Sequence, residues 1–109
     1  MNNNPNLNIE EGTITFWVQP NKISYDDNSV FPLAQFDPPN GSILILKDSD
    51  KKIKFFHVYL GKGRTDIETD VSKLERIKKH FFVFTWSVNN KELKIYIDGK
   101  QKTVQEIKY

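Results

Sequence analysis

The stretch that most constrains the fold runs from His80 to Lys100, HFFVFTWSVNNKELKIYIDGK. Large apolar residues recur at every second position from Phe82 to Val88 and again from Leu93 to Ile97, which is the period of strands with one buried face. Between them, Asn89–Lys91 supplies residues that tolerate positive φ, as a short hairpin turn requires. The sequence therefore predicts a hairpin, and Asp98-Gly99 marks a second turn at its end.

The rest of the chain repeats this pattern in short runs separated by turn residues such as Asp37–Gly41. With 109 residues the chain can build one core, and 13% aromatic residues on short strands favour a sandwich over a helix bundle. We therefore predict an all-β, antiparallel β-sandwich of about eight strands. A flexible Asn-rich segment at residues 1–11 is expected to precede one domain at residues 12–109.

Four local features qualify this prediction. Pro32 interrupts its strand, which places that strand at an edge or at a bulge. The run Ser42–Lys47, SILILK, is apolar on both faces, as expected of a strand covered on both sides. The phase of the next strand changes near Phe55-Phe56, which predicts a β-bulge there. Helical spacing with a candidate cap predicts one short helical turn near Ser72–Lys79.

Charge and composition disfavour several functions. Sixteen basic and 14 acidic residues give a net charge of only +2, and basic residues are not concentrated as nucleic-acid binders require. The absence of cysteine removes thiol nucleophiles and thiolate zinc sites. No run approaches the ~20 apolar residues of a membrane span, and the amino terminus shows no signal-peptide pattern. We predict neither a nucleic-acid partner nor a membrane span.

Three segments together resemble a known family: GTITFWVQP at Gly12–Pro20, HFFVFTW at His80–Trp86, and LKIYIDG at Leu93–Gly99. They are similar to the laminin-G-like and pentraxin-like domains of the concanavalin A-like lectin/glucanase superfamily. Lys79 stands where that family usually has Trp. The family fold also usually continues through further strands, whereas this sequence has ten residues after Gly99.

The resemblance implies a jelly-roll sandwich, compact or truncated, and an extracellular or cell-surface location. The superfamily contains sugar binders, adhesion modules, protein-interaction modules and glycoside hydrolases, so the fold alone does not choose a function.

Exposed aromatic residues give the leading site prediction. Trp17 lies on the strand face opposite the predicted core residues, and so does Tyr96. Together with Thr15 and Lys94 they form a predicted ligand-binding face that can stack a sugar ring and bind its hydroxyl groups. The alternative is that a loop, a crossing strand or a second subunit covers this face.

A catalytic site is the rival prediction. Asp66, Glu68 and Asp70 alternate along one strand, so their carboxylates share a face at spacings of about 7 Å. Glycoside hydrolases use two carboxyl groups separated by roughly 5 to 9.5 Å. The order D-x-E-x-D differs from the E-x-D-x-E of the superfamily's glucanases, and a solvated strand face is the ordinary interpretation.

A calcium site would need several oxygen ligands. The candidate acids lie in turns, where Asp is favoured for backbone reasons alone: Asp26, Asp27, Asp37, Asp48 and Asp50. His57 and His80 are far apart in sequence, and His80 is expected to be a packed strand residue. We predict no cofactor, with calcium not supported by a motif.

The leading hypothesis is a noncatalytic module that recognises a glycan or a protein surface. The alternatives are a structural domain whose aromatic face is an intersubunit contact, and a glycoside hydrolase that uses the three acids. A homodimer is also predicted, because unpaired sheet edges template association. Its expected contacts are the edges at Gly12–Gln19 and Gln101–Tyr109, or the face around Trp17 and Tyr96.

Overall fold

A computed structural model describes residues 8–109, and these residues form eight strands in two four-stranded antiparallel sheets. None of them forms a helix long and apolar enough to cross a membrane. Sheet A has the order β1-β6-β7-β8, and sheet B has the order β2-β3-β4-β5. The strands are β1 Glu11–Val18, β2 Phe31–Phe36, β3 Gly41–Lys47, β4 Lys52–Tyr59, β5 Gly63–Asp70, β6 His80–Ser87, β7 Glu92–Ile97 and β8 Lys100–Glu106.

The predicted hairpin is confirmed as β6 and β7. Phe82 pairs opposite Ile97 and Trp86 pairs opposite Leu93, so the large apolar residues share one face. Lys91 closes the connecting turn at a φ of 59°, in the left-handed region that such turns use. The register therefore follows from the hydrophobic pattern and the turn together.

The core lies between the inner faces of the two sheets. Phe55 of sheet B makes edge-to-face contacts with Phe84 and Trp86 of sheet A, at centroid distances of 5.6 and 6.2 Å. Around these rings, Ile43 and Ile45 are completely buried. This packing confirms the predicted all-β sandwich.

The predicted helical turn near Ser72–Lys79 is wrong. The segment forms separate turns instead, and none of its residues is helical. Carbonyl groups that a helix would use internally bind other parts of the chain. The Glu75 carbonyl accepts from Nε2 of His80 at 2.8 Å, and the Arg76 carbonyl accepts from the backbone N–H of Asn21 at 2.6 Å.

The predicted bulge near Phe55-Phe56 is also wrong. Strand β4 pairs without interruption with β3 and β5, so Phe55 faces the core and Phe56 faces outward. The irregularity lies in β2, between Pro32 and Ala34, and β2 is an edge strand as predicted. Proline cannot donate to a ladder, which explains why the register shifts there.

Only one face of β3 is covered, contrary to the prediction for SILILK. Ile43 and Ile45 are buried, whereas Leu44 and Leu46 on the outer face stay partly exposed. Within residues 8–109, no third layer packs on this side of sheet B. The apolar outer residues of β3 therefore form part of the surface.

The domain begins earlier than residue 12. Residues 1–7 of the predicted flexible segment 1–11 lie outside the described residues. Ile9 is only 3% exposed and packs in the core. The backbone carbonyl of Asn8 accepts from Nε1 of Trp86 at 2.8 Å, and its side chain accepts from the N–H groups of Glu10 and Glu11. Residues 8–11 thus belong to the folded domain.

A buried histidine joins the two ends of this domain. His57 of β4 has no exposed surface, and its Nε2 lies 2.7 Å from the carbonyl oxygen of Ile9. Because a carbonyl only accepts, Nε2 must carry a proton. On the other side, Nδ1 lies 2.7 Å from the hydroxyl of Tyr109. A neutral ring satisfies both contacts, and burial lowers the pKa of His57.

This histidine predicts a pH-dependent stability. Since the folded-state pKa of His57 is lowered, the unfolded chain takes up a proton that the folded chain does not. Its stabilising contribution is complete above the unfolded pKa of about 6.5 and is lost as pH falls from there towards the folded pKa. We expect the free energy of unfolding, measured in urea, to decrease as the pH is lowered from about 8 to about 5.5.

The control is His57→Gln, whose amide can donate to Ile9 and accept from Tyr109 without titrating. Its stability should change less over the same pH interval. An equal change in both proteins would assign the pH dependence to other groups.

Candidate functional site

The four predicted binding residues, Trp17, Thr15, Tyr96 and Lys94, lie on the outer face of sheet A. The register shows this directly, because Thr15 and Tyr96 both pair opposite Val83, one from each side. Directly opposed residues in antiparallel strands share a face. Strand alternation thus brings the whole predicted set to one surface.

Trp17 is a highly exposed aromatic residue of this surface, with a relative accessibility of 58%. It pairs opposite Phe81, and the two ring centroids lie 4.5 Å apart. The ammonium group of Lys79 lies 4.8 Å from the Trp17 ring centroid, a cation–π contact. We call Trp17, Phe81 and Lys79 the Trp17 platform.

Strand alternation does not predict that Lys79 belongs to the Trp17 platform. Lys79 lies just before β6, so alternation assigns its side chain to neither face of the sheet. The only signal for it in the sequence is its position at the family's usual Trp.

Tyr96 and Lys94 form a second, separate part of the face. Tyr96 lies two strands away from Trp17, or about 10 Å across the sheet. The ammonium group of Lys94 lies 3.2 Å from a carboxylate oxygen of Glu92, and this hydrogen bond raises the pKa of Lys94. The outer face of sheet A therefore carries the Trp17 platform at one edge and Tyr96 with the Lys94–Glu92 ion pair two strands away.

The start of β6 beside the platform is fixed by a hydrogen bond between a buried histidine and an exposed aspartate. His80 is almost fully buried, as expected of a packed strand residue, and its Nδ1 lies 2.7 Å from a carboxylate oxygen of Asp98. The other oxygen of Asp98 accepts from the backbone N–H of Phe81 at 2.9 Å. Partial burial opposes ionisation of Asp98, but the hydrogen bonds from His80 and Phe81 lower its pKa. This pair holds the backbone of Phe81 in place.

The outer face of sheet B carries a shallow depression of about 320 Å³. Its floor is mainly aliphatic and its only aromatic ring is Phe56, over which the Arg64 guanidinium lies at 4.9 Å. The sequence signal for this depression is the apolar outer positions of β3 and β4, which the pattern predicts to be buried. The lining residues are Ser42, Leu44, Leu46, Phe56, Val58 and Arg64.

Four of the five candidate calcium ligands lie beside lysine ammonium groups, including Asp26, which lies 3.3 Å from Lys51. Asp48 and Asp50 each place a carboxylate oxygen 3.0 Å from the ammonium group of Lys54. Asp27 binds the ammonium group of Lys47 at 3.2 Å. Among residues 8–109, no three acidic or histidine side chains meet as a metal site requires.

Comparison with known proteins identifies the family. A laminin-G-type family model described as the concanavalin A-like lectin/glucanases superfamily matches residues 1–109. The chain belongs to this superfamily. A search of curated proteins finds no significant match.

Two solved structures share the superfamily's sandwich with this chain. One is the binding domain of botulinum neurotoxin serotype D/C VPI 5993, with a TM-score of 0.68 and 20% identity over 93% of this chain. The other is the binding domain of botulinum neurotoxin DC in complex with rat synaptotagmin II, with a TM-score of 0.67 and 20% identity over 92% of this chain. The chain spans 24% of each of those chains, and the likeness concerns the fold alone.

Because the superfamily includes glucanases, the three acids of β5 require inspection. Asp66, Glu68 and Asp70 lie in a row on the outer face of sheet B. Both carboxylate oxygens of Asp66 are held by Arg64, at 2.6 and 2.8 Å, and Glu68 binds Lys52 at 2.7 Å. Hydrogen bonds from the hydroxyl and the backbone N–H of Ser72 lower the pKa of Asp70. A glycosidic general acid needs the opposite shift.

Proposed function

We propose that this chain is a noncatalytic recognition module that binds a glycan on the outer face of sheet A, with Trp17 as the stacking residue. The observation that carries the proposal is the 58% exposure of Trp17, whose indole is flanked by Phe81 and Lys79. A rigid, exposed aromatic ring provides the flat apolar surface on which the C–H face of a sugar packs.

Polar groups around the indole supply the hydrogen bonds that a sugar needs. Thr15 lies two residues before Trp17 on the same face and presents a hydroxyl group that can both donate and accept. Lys79 presents three N–H donors above the ring. A sugar on that side of the indole replaces a cation–π contact of about 0.5–1 kcal/mol and takes hydrogen bonds from the displaced ammonium group.

The noncatalytic part of the proposal rests on the three acids of β5. Two of them are engaged by cationic partners, and the third has a lowered pKa. Family membership supports an extracellular or cell-surface partner, because laminin-G-like domains are recognition modules of that environment. The aliphatic depression on sheet B offers few hydrogen-bonding groups for sugar hydroxyls, so we place the glycan on sheet A.

The first test is glycan binding by Trp17→Ala. After a glycan array identifies a ligand, we expect this variant to bind it at least about tenfold more weakly, since loss of one stacking contact costs roughly 1.4 kcal/mol. Isothermal titration measures the difference. Val104→Ala is the matched control, because Val104 is also an exposed apolar residue on the outer face of sheet A and lies three strands from Trp17.

Other outcomes would contradict the proposal. Release of reducing sugar from a β-glucan, lost in Glu68→Gln, would make the protein a glycoside hydrolase. A change of molecular mass in Tyr96→Ala, a residue of the outer face that lies away from the sheet edges, would make the aromatic face an intersubunit contact, as in the structural-domain hypothesis. Glycan binding that is unchanged in Trp17→Ala and lost in Phe56→Ala would move the site to sheet B.

A further inference from the structure

The four edge strands of the sandwich differ in their protection against pairing with another chain. Strand β2 has Pro32 and a register shift, and half of the residues of β5 are charged. Strand β8 has Lys100, Lys102 and a register shift. Strand β1 has eight residues in unbroken register, and Glu11 is its only charge. Charges, prolines and bulges are the usual protection of sheet edges, so β1 is the unprotected edge.

Half of the backbone N–H and C=O groups of β1 point away from β6, as pairing with another strand requires. The N–H of Val88 donates to the carbonyl of Glu10 at 2.7 Å, which places Glu10 and every second residue after it in hydrogen bonds with β6. Thr13, Thr15 and Trp17 have the opposite parity, so their N–H and C=O groups point away from β6. Within residues 8–109, no strand pairs with that side of β1.

We propose that β1 pairs antiparallel with β1 of a second copy of this chain across a two-fold axis, with Ile14 opposite Ile14 of the second copy. Thr13 then lies opposite Thr15 of the second copy, and Glu11 lies opposite Trp17 of the second copy. All outward-pointing backbone groups of β1 gain partners, and the two sheets A join into one sheet of eight strands.

Charge complementarity selects this register over its neighbours. Lys79 lies over Trp17, so Glu11 of one copy meets the ammonium group of Lys79 of the other, twice per dimer. In a register shifted by two residues in either direction, Glu11 no longer lies opposite Trp17. The same register pairs Thr with Thr, a favourable cross-strand combination.

The dimer leaves the outer face of sheet A open, because edge pairing extends a sheet without covering it. The two Trp17 platforms lie on the same face of the joined sheet. They are about 20 Å apart along the strands, because six residues at about 3.4 Å each separate them. The inference therefore does not depend on the proposed glycan site, and it distinguishes edge pairing from packing over Trp17 and Tyr96.

Disulfide trapping tests the register, because the chain has no cysteine of its own. Opposed residues of this type have Cα atoms about 5.5 Å apart, within disulfide range. Under mild oxidation we expect the double variant Thr13→Cys/Thr15→Cys to run as a covalent dimer on a non-reducing gel, with each single variant remaining monomeric. Cross-linking of either single variant would overturn this register, and no cross-linking in any of the three would overturn the dimer.

Light scattering tests the association itself. We expect a mass of twice 12.8 kDa at high micromolar concentration. Thr15→Pro removes only an outward-pointing donor, so it should give a folded monomer. Lys79→Glu should weaken dimerisation about tenfold, and adding Glu11→Lys should restore it. A wild-type mass of 12.8 kDa, or a double charge swap no tighter than the single variant, would overturn the proposal.

Discussion

Trp86→Ala is expected to lower the free energy of unfolding by about 3 to 5 kcal/mol, more than any other single change in the β6–β7 hairpin. Trp86 is 1% exposed and packs edge-to-face on Phe55. Its indole N–H also donates to the carbonyl of Asn8 at 2.8 Å. The substitution opens a cavity and leaves that carbonyl without its donor. For a small domain with a total stability of about 5 to 15 kcal/mol, this is a large fraction.

Urea denaturation followed by fluorescence of Trp17 or by circular dichroism measures the loss. Tyr96→Ala is the matched control, because Tyr96 lies in the same hairpin on the outer face. We expect it to cost about 1 kcal/mol or less. Equal losses in the two variants would show that the assignment of inner and outer faces is wrong.

Gly12 provides a second check of the same contact. A Cβ atom added at Gly12 would overlap the Trp86 indole, so Gly12→Ala should destabilise the wild-type protein by about 1–3 kcal/mol. In the Trp86→Ala background the methyl group has room, and the same change should cost less. A double-mutant cycle isolates this coupling, which for contacting residues is typically about 0.5–3 kcal/mol.

The hairpin and the Trp17 face could be predicted because a strand has an exact two-residue alternation. Once Trp86 is assigned to the core, the register of β6 sends Phe81 outward, and pairing with β1 sends Trp17 to the same side. The turn at Lys91 then places Tyr96 there as well. Local pattern and tertiary structure agree in this part of the chain.

The depression on sheet B could not be predicted in the same way. Hydrophobicity shows that Leu44 and Phe56 are apolar, but it does not show whether another layer covers them. The two residues pair opposite each other and stabilise one another across strands. The same ambiguity led to the incorrect bulge, which would have turned Phe56 inward.

Long-range hydrogen bonds explain the remaining error. The spacing of Val71, Leu74 and Ile77 is helical, yet Ile77 is 66% exposed. The carbonyl of Arg76 is bound by Asn21, which is 55 residues away in the sequence, and the carbonyl of Glu75 is bound by His80 at the start of β6. Tertiary contacts here override local propensity.

Lys47 at the end of β3 is a completely buried charged residue, although a lysine at a strand end is normally solvated. Its side chain is completely buried on the inner side of β3. The ammonium group donates to the carbonyls of Asp27 and Ser29, at 2.7 and 2.8 Å, and to a carboxylate oxygen of Asp27 at 3.2 Å. The hydrogen bonds from Ser29 come first in lowering the pKa of Asp27, and the bond from Lys47 adds to them.

Lys47→Met is therefore expected to lower the free energy of unfolding by about 2–4 kcal/mol, because the side-chain volume is kept while partly buried acceptors lose their donor at about 1–3 kcal/mol each. Urea denaturation at neutral pH measures the loss. Lys52→Met removes an ion pair with Glu68 that is exposed to solvent, and it should cost less than about 1 kcal/mol. If the two variants lose the same stability, water replaces the ammonium group at the loop carbonyls, and Lys47 contributes only packing of its alkyl chain.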